Sequence, residues 1–228
     1  MIITIDGPAV SGKSTLARAI AHQLGYYYLY SGSLFRALGY LLYTHAGYDA
    51  QNIAQVSQKD RDTFLDPTRF KYVYSQQNGE RVFFDGVDIT ESLKTPVVDE
   101  LASIVATNAL VREALKDLQR TIAEGRDIVI DGRDSGTVVF PQADYTFYLT
   151  ASAEERAKRM QQSLKKKGQS ISVAQARSEI DERDARDTNR AISPLVKSED
   201  AIVIDNTGLS KQETLKKILS YLDLKGGG

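Results

Sequence analysis

The sequence predicts an α/β fold built on a parallel five-stranded sheet with helices on both faces and a small antiparallel β insertion. Three observations predict it. Residues 7 to 14, Gly-Pro-Ala-Val-Ser-Gly-Lys-Ser, match the phosphate-binding pattern G-x-x-x-x-G-K-[ST] and lie between an apolar run and a helix-period run. Apolar runs of strand length then alternate with helical stretches along most of the chain, as in sheets whose strands are buried on both faces. Residues 66 to 90 break the alternation with two β-prone runs around Asn78-Gly79, a hairpin signal.

Met1-Ile2-Ile3-Thr4-Ile5 reads as the first buried strand. Thr15 to Leu24 has apolar positions at helical spacing, and Gly25 stops it. Tyr26-Tyr27-Tyr28-Leu29, Asp127-Ile128-Val129-Ile130, Asp144 to Leu149 and Ala201-Ile202-Val203-Ile204 read as the other four parallel strands. Helices are expected at about 33 to 45, 97 to 124, 153 to 166 and 211 to 223, with a charged helix over 177 to 190. Arg69 to Tyr74 and Arg81 to Phe84 supply the hairpin of the insertion.

Composition narrows the setting. The 228 residues suffice for one sizeable domain with an insertion, or two small ones, and a formal net charge of -1 gives no polyelectrolyte signal, so no nucleic acid polymer is expected as partner. The chain contains no cysteine, which excludes disulfides, thiolate nucleophiles and cysteine-zinc sites. No apolar stretch reaches membrane-spanning length, so no membrane association is expected. A first strand starting at Ile2 leaves no room for a cleavable signal, which points to the cytoplasm. The tail Lys225-Gly226-Gly227-Gly228 is expected to fray.

The chemistry concentrates in three places. In the first, Gly7 and Gly12 let backbone N–H groups converge, the helix start adds a partial positive charge, Lys13 adds a whole one, and Ser14 offers a hydroxyl to Mg²⁺. In the second, Ile128-Val129-Ile130 runs into Asp131-Gly132-Arg133-Asp134-Ser135-Gly136, and Asp131 is the candidate to hold the water shell of that Mg²⁺. In the third, Arg183, Asp187 and Arg190 recur at i, i+4 and i+7, so that one helix face carries all three; Arg156 and Arg159 pair at i, i+3 on an earlier helix. Such a run also suits a solvated face laced with ion pairs, and the residues alone leave both readings open.

Taken together, Gly7-Pro8-Ala9 through Lys13-Ser14, Ser31-Gly32-Ser33-Leu34-Phe35-Arg36, Asp131 through Pro141 and Glu182 through Arg190 resemble bacterial cytidylate kinases, from Ile2 to about Leu222. The resemblance implies a P-loop NTPase-type fold with a mobile lid, and a division into a discontinuous core (1–35, 97–150 and 195–224), a nucleoside-monophosphate-binding region with the β insertion (36–96) and a lid region (151–194). It implies ATP-dependent phosphorylation of CMP and dCMP, with Mg²⁺, by a monomer. Gly7, Pro8, Ala9, Val10, Ser11, Gly12, Lys13, Ser14 and Thr15 would bind ATP, and Arg156 and Arg159 of the lid would approach its phosphates. Ser31, Arg36, Arg133 and Arg190 would hold the CMP phosphate, Ser103, Arg112 and Asp134 would read cytosine, and Arg183 and Asp187 would meet the sugar. Lys13, Arg133, Arg190 and Asp131 would carry catalysis.

The nucleophile in such a reaction is an anionic phosphate oxygen attacking in line, so no general base is required. The two histidines, His22 and His45, read as ordinary surface or boundary residues. Two positions depart from the family pattern: Tyr30 stands where an acid is usual, and Leu93-Lys94 replaces Ile-Arg. The alternatives are a kinase of another small metabolite, which would not require the base-reading set, and a broader UMP/CMP kinase, which usually lacks the long insertion. A GTPase switch would need an Asn-Lys-x-Asp guanine reader, which the chain does not contain.

Overall fold

The computed structural model describes residues 1–166 and 168–223; the Lys225–Gly228 tail lies outside them. In chain order the elements are β1 (Ile2–Asp6), α1 (Lys13–Leu24), β2 (Tyr27–Tyr30), α2 (Ser31–Ala46), α3 (Gln58–Phe64), β3 (Phe70–Ser75), β4 (Gly79–Phe84), β5 (Val87–Asp88), α4 (Pro96–Val105), α5 (Ala109–Ala123), β6 (Ile128–Asp131), β7 (Tyr145–Thr150), α6 (Ala153–Lys166), α7 (Val173–Asn189), β8 (Ile202–Asp205) and α8 (Lys211–Asp223). The five strands expected to be parallel form one sheet, ordered β2-β6-β1-β7-β8, and the insertion forms a second, ordered β3-β4-β5. Each core strand runs one residue further toward its carboxyl end than the apolar run suggested. Ladder bonding continues past the last apolar side chain, so β1 ends on Asp6 and β6 on Asp131. Among the described residues no helix is long and apolar enough to cross a membrane.

The chain divides into two compact units, Met1–Tyr26 with Val129–Gly228, and Tyr27–Ile128. In the first, β7 is parallel to both β1 and β8, with Ile5 opposite Phe147 and Leu149 opposite Ile204. Ile3, Thr4 and Ile5 have no exposed surface, so β1 is buried on both faces, whereas β7 alternates buried Phe147 and Leu149 with half-buried Thr146 and Tyr148, and β8 exposes Val203. The carboxyl ends of β1 and β6 open into the phosphate-loop segment and the 131–136 segment, and ligand crevices of open α/β sheets lie at such strand ends.

In the second unit α2 packs on α4. A side chain at Gly39 would stand 3.3 Å from Ala102 N and from Leu101 Cβ, so glycine sets that close approach. The insertion carries a third strand, β5, which the hairpin signal did not reveal: it is two residues long, and both are exposed. Its hairpin closes with Ser75 opposite Gly79 and Gly79 at φ 70°, so Gln76, Gln77 and Asn78 form the loop and Gly79 takes the left-handed position. The single helix expected over 97 to 124 is two helices. Asn108 adopts an extended conformation and its side chain accepts from Val111 N, so α5 starts afresh with its own N-cap.

Candidate active site

The first unit gathers the phosphate loop. Gly7 has φ 146°, and a Cβ there would run into the carbonyl of Leu149, so no other residue fits. Val10 sits at φ 59°, a left-handed conformation that is rare and strained for a β-branched residue. The loop is held in that shape by its carbonyls and one amide. Lys13 Nζ donates to Pro8 O at 2.5 Å, and Ser11 Oγ to the same oxygen at 3.0 Å. Arg156 Nη1 donates to Ala9 O at 3.1 Å; Arg159 Nη1 and Asn206 Nδ2 donate to Ser11 O at 3.3 and 2.9 Å. Ala9 N donates to Asp184 Oδ1 at 2.8 Å, and Asp184 also pairs with Arg156. Behind these bonds lies a small apolar cluster of Ala9, Ala157, Ala176 and Ile180, which joins the loop to α6 and α7. Thr15, in the first turn of α1, is exposed.

Lys13 is almost fully buried, at 4% exposure. Burial pushes its ammonium well below the ordinary lysine value, Arg133 and Arg183 push the same way, and Asp131 and Asp6 oppose. Ser14 Oγ donates to Asp131 Oδ2 at 2.7 Å, so the expected hydroxyl and carboxylate stand side by side. Two hard oxygens together suit Mg²⁺, which binds through one or two protein oxygens plus substrate phosphate. Among the described residues no group of three His, Asp or Glu side chains could hold a metal without such help.

The segment after β6 turns into one wide helical turn, Ser135–Val139, with Val139 N bonded to Asp134 O at 3.1 Å and Phe140 N to Ser135 O at 2.7 Å. Asp6 anchors its start: the carboxylate accepts from Ser135 N at 3.0 Å and Gly136 N at 2.7 Å. Burial pushes Asp6 up to about 6 against these two donors, with Asp134 adding to the rise. Arg133 Nε donates to Asp187 Oδ2 at 2.7 Å. Arg190 lies 3.7 Å from Asp187 Oδ1 and 3.6 Å from Asp134 Oδ1. Burial raises the Asp187 carboxyl, but Arg133, Arg190 and Arg183 together hold it below its ordinary value. Within the charged run Asp187 is 6% exposed and ties the 131–136 segment to α7, whereas Arg177 and Asp181 pair on the solvated face of the same helix.

Arg183 and Asp187 lie on α7, which runs from Val173 to Asn189, and Arg190 is its C-cap. A φ of -65° keeps the Arg190 side chain in the helical register beside Asp187, and a ψ of 142° turns the chain out of the helix after it. Its Nε donates to Ser193 O at 2.5 Å, and Ser193 is itself left-handed at φ 50°.

In the second unit Ser31 opens α2 and is buried, and Arg36 pairs with Asp99 of α4, Nε to Oδ1 at 2.6 Å. Tyr30, at the position where an acid is usual, takes a hydrogen bond from Arg36 through its hydroxyl. Ser103 and Arg112 are both buried around the break between α4 and α5. That break lets Arg112 Nη1 donate back to Ala106 O at 3.3 Å while its guanidinium lies 5.4 Å from the centroid of Phe35. His22 and His45 are exposed, and Lys94 pairs with Glu91 at 61% exposure, away from any such network.

Four residues of these networks were missed in the sequence: Asp6, Asp184, Asn206 and Asp99. Asp6 could have been flagged as an acid directly before the phosphate loop. The side-chain partners of the other three are 28 to 195 residues away, and no local signal marks them.

The parallel sheet, the glycine-rich loop on the first strand and the Ser14–Asp131 pair define a nucleotide-binding phosphotransferase of the P-loop kinase class. A family model described as Cytidylate kinase matches residues 3–224. The chain is 42% identical over 223 residues to a cytidylate kinase of Desulfitobacterium hafniense (strain Y51), covering 98% of this chain and 93% of that one. It is 43% identical over 225 residues to a cytidylate kinase of Pseudomonas savastanoi pv. phaseolicola (strain 1448A / Race 6), covering 99% and 96%. The chain belongs to the cytidylate kinase family. In fold it is similar to an uncharacterized protein from Eubacterium ventriosum ATCC 27560, with 14% identity, TM-score 0.54 and 99% of both chains covered.

Proposed function

We propose that the protein transfers the γ-phosphoryl group of ATP to CMP and dCMP in line, as a monomer in the cytoplasm, within pyrimidine nucleotide metabolism. Family membership over residues 3–224 carries this reading. The Ser14–Asp131 hydrogen bond at 2.7 Å supports the Mg²⁺ assignment: Ser14 would bind the ion and Asp131 its water shell. Bound there, Mg²⁺ would neutralise charge on the β- and γ-phosphates.

The chain's own groups do the rest. Residues 7 to 15 cradle the ATP phosphates, with backbone N–H groups from residues other than Pro8, which has none, and Ala9, whose N–H goes to Asp184. Lys13 adds a charge from a water-poor site, where it is worth more than in water. Arg156 and Arg159, each bonded to a loop carbonyl, are assigned to the donor phosphates and tie the lid region 151–194 to the donor loop. Arg36, Arg133 and Arg190, with Ser31, are assigned to the acceptor phosphate, since guanidinium forks match phosphate oxygens. Arg183 and Asp187 are assigned to the sugar. Ser103, Arg112 and Asp134 are assigned to the base: a carboxylate accepts from the cytosine amino group and repels the uracil carbonyl.

The test is a coupled assay of ADP release with ATP over CMP, dCMP, UMP, AMP and GMP. Turnover highest on CMP and dCMP is expected. Equal turnover on UMP would favour a broader pyrimidine kinase, and no turnover on any nucleotide would overturn the reading.

A further inference from the structure

Arg36 is held more completely than a phosphate-binding arginine on a helix needs. A guanidinium carries five N–H donors. Asp99 Oδ1 takes two of them, from Nε at 2.6 Å and Nη2 at 2.5 Å. The Tyr30 hydroxyl takes a third, from Nη1, and the guanidinium carbon lies 5.0 Å from the centroid of the same ring. One N–H on each terminal nitrogen is left, the number a phosphate accepts from a forked donor.

Tyr30 is itself fixed. Its backbone N donates to the Tyr72 hydroxyl at 3.0 Å, and that hydroxyl donates on to Tyr28 O at 3.0 Å. Tyr72 belongs to β3 of the insertion and is 7% exposed. Its ring and that of Tyr74 pack edge-on against Tyr27, at 6.3 and 5.5 Å between centroids. Gly32 makes room for the pair: a Cβ there would stand 2.8 Å from Tyr30 Cε2 and 3.0 Å from Arg36 Nη1. The Tyr30 hydroxyl accepts the Arg36 N–H where the usual acid would place a second carboxyl beside Asp99.

We propose that Tyr30, anchored by Tyr72, is a positioning residue that presents the remaining fork of Arg36 to the acceptor phosphate, so that the β insertion contributes to acceptor affinity through the chain Tyr72–Tyr30–Arg36. The inference rests on the assignment of Arg36 to that phosphate. It makes Tyr30 a working replacement for the usual acid and gives the insertion a part in phosphate binding.

The test is steady-state kinetics on the full chain for Tyr30→Phe, Tyr72→Phe, Arg36→Lys and the double variant Tyr30→Phe/Arg36→Lys. Losing one neutral hydrogen bond to a charged group predicts that Tyr30→Phe raises KM for CMP about threefold to tenfold, with kcat and KM for ATP within about twofold. Tyr72→Phe should move KM the same way by less. Arg36→Lys should raise KM for CMP more, and adding Tyr30→Phe to it should change nothing further, since the hydroxyl acts only through the guanidinium. If Arg36→Lys raises KM and Tyr30→Phe leaves it unchanged, or if the two effects multiply in the double variant, the positioning role is wrong. If Arg36→Lys itself leaves KM for CMP unchanged, the assignment of Arg36 falls and the inference with it. Should Tyr30→Phe fail to fold, Asp99→Asn carries the same test from the other side of Arg36, with 44% exposure at the substituted side chain.

Discussion

The buried carboxyl of Asp6 makes the folded protein less stable as pH rises through the weakly acidic range. It is 3% exposed, and burial lifts it from the ordinary 3.8 to about 6. Below the unfolded value both states hold the proton and the group costs nothing. Between the two values the unfolded chain has released it and the folded one has not, so stability falls with rising pH. Above about pH 6 the full cost is present: about two pH units at about 1.4 kcal/mol each, or about 3 kcal/mol. About 2 kcal/mol of it should be lost between about pH 4.5 and about pH 7.5. The perturbation is Asp6→Asn, which keeps one acceptor for Ser135 N or Gly136 N and cannot ionise. The assay is urea unfolding of both proteins across that range, with the Asp6 carboxyl carbon followed by NMR. The stability of the natural protein minus that of the variant should fall by about 2 kcal/mol, and the carboxyl should titrate near 6. Parallel stability curves, or titration near 4, would refute the reasoning.

Other perturbations address the remaining networks. Lys13→Ala should lower kcat by about a hundredfold to a thousandfold, with the circular dichroism spectrum unchanged; near-normal turnover would sink the assignment of Lys13. Asp134→Asn should lower kcat/KM for CMP about tenfold to a hundredfold and for UMP much less, whereas Arg133→Ala should weaken every monophosphate alike. A uniform loss in Asp134→Asn would show that Asp134 does not read the base. Asp187→Ala strips Arg133 and Arg190 of a shared buried carboxylate and should cost about 3 kcal/mol in urea unfolding; a loss under about 0.5 kcal/mol, the size of a surface substitution, would contradict the burial argument. Hydrogen exchange in α6, α7 and β3 to β5 should slow when ATP and CMP analogues bind together, and equal protection with and without them would argue against lid closure.

The residues themselves announced the core. Five apolar runs needed no tertiary information to be read as strands, although their burial differs: β6 is buried at every residue, whereas in the outermost strand β8 Val203 is 46% exposed. The phosphate loop was legible too: its chemistry lies within eight neighbouring residues, and Gly7 and Gly12 are demanded by local backbone geometry. Ser14 and Asp131, 117 residues apart, could be paired because each sits at the end of a recognisable strand or loop. The tertiary structure decided what depends on distant partners. Asp184 and Asn206 hold the loop from 175 and 195 residues away, through single hydrogen bonds that leave no periodicity in the chain. Asn108 breaks a helix that the apolar pattern ran straight through, because a side-chain cap competes with one more helical turn at nearly equal free energy. Arg190 reaches Asp187 at i, i+3 from the C-cap of α7, and its second partner, Ser193 O, comes from the turn that follows the helix. Tyr30 looked like a defect in a motif and becomes a ligand of Arg36 only once the insertion's Tyr72 has fixed its backbone. Local propensity and burial act through neighbours in sequence; hydrogen-bond partners are assigned by packing, which only the folded chain determines.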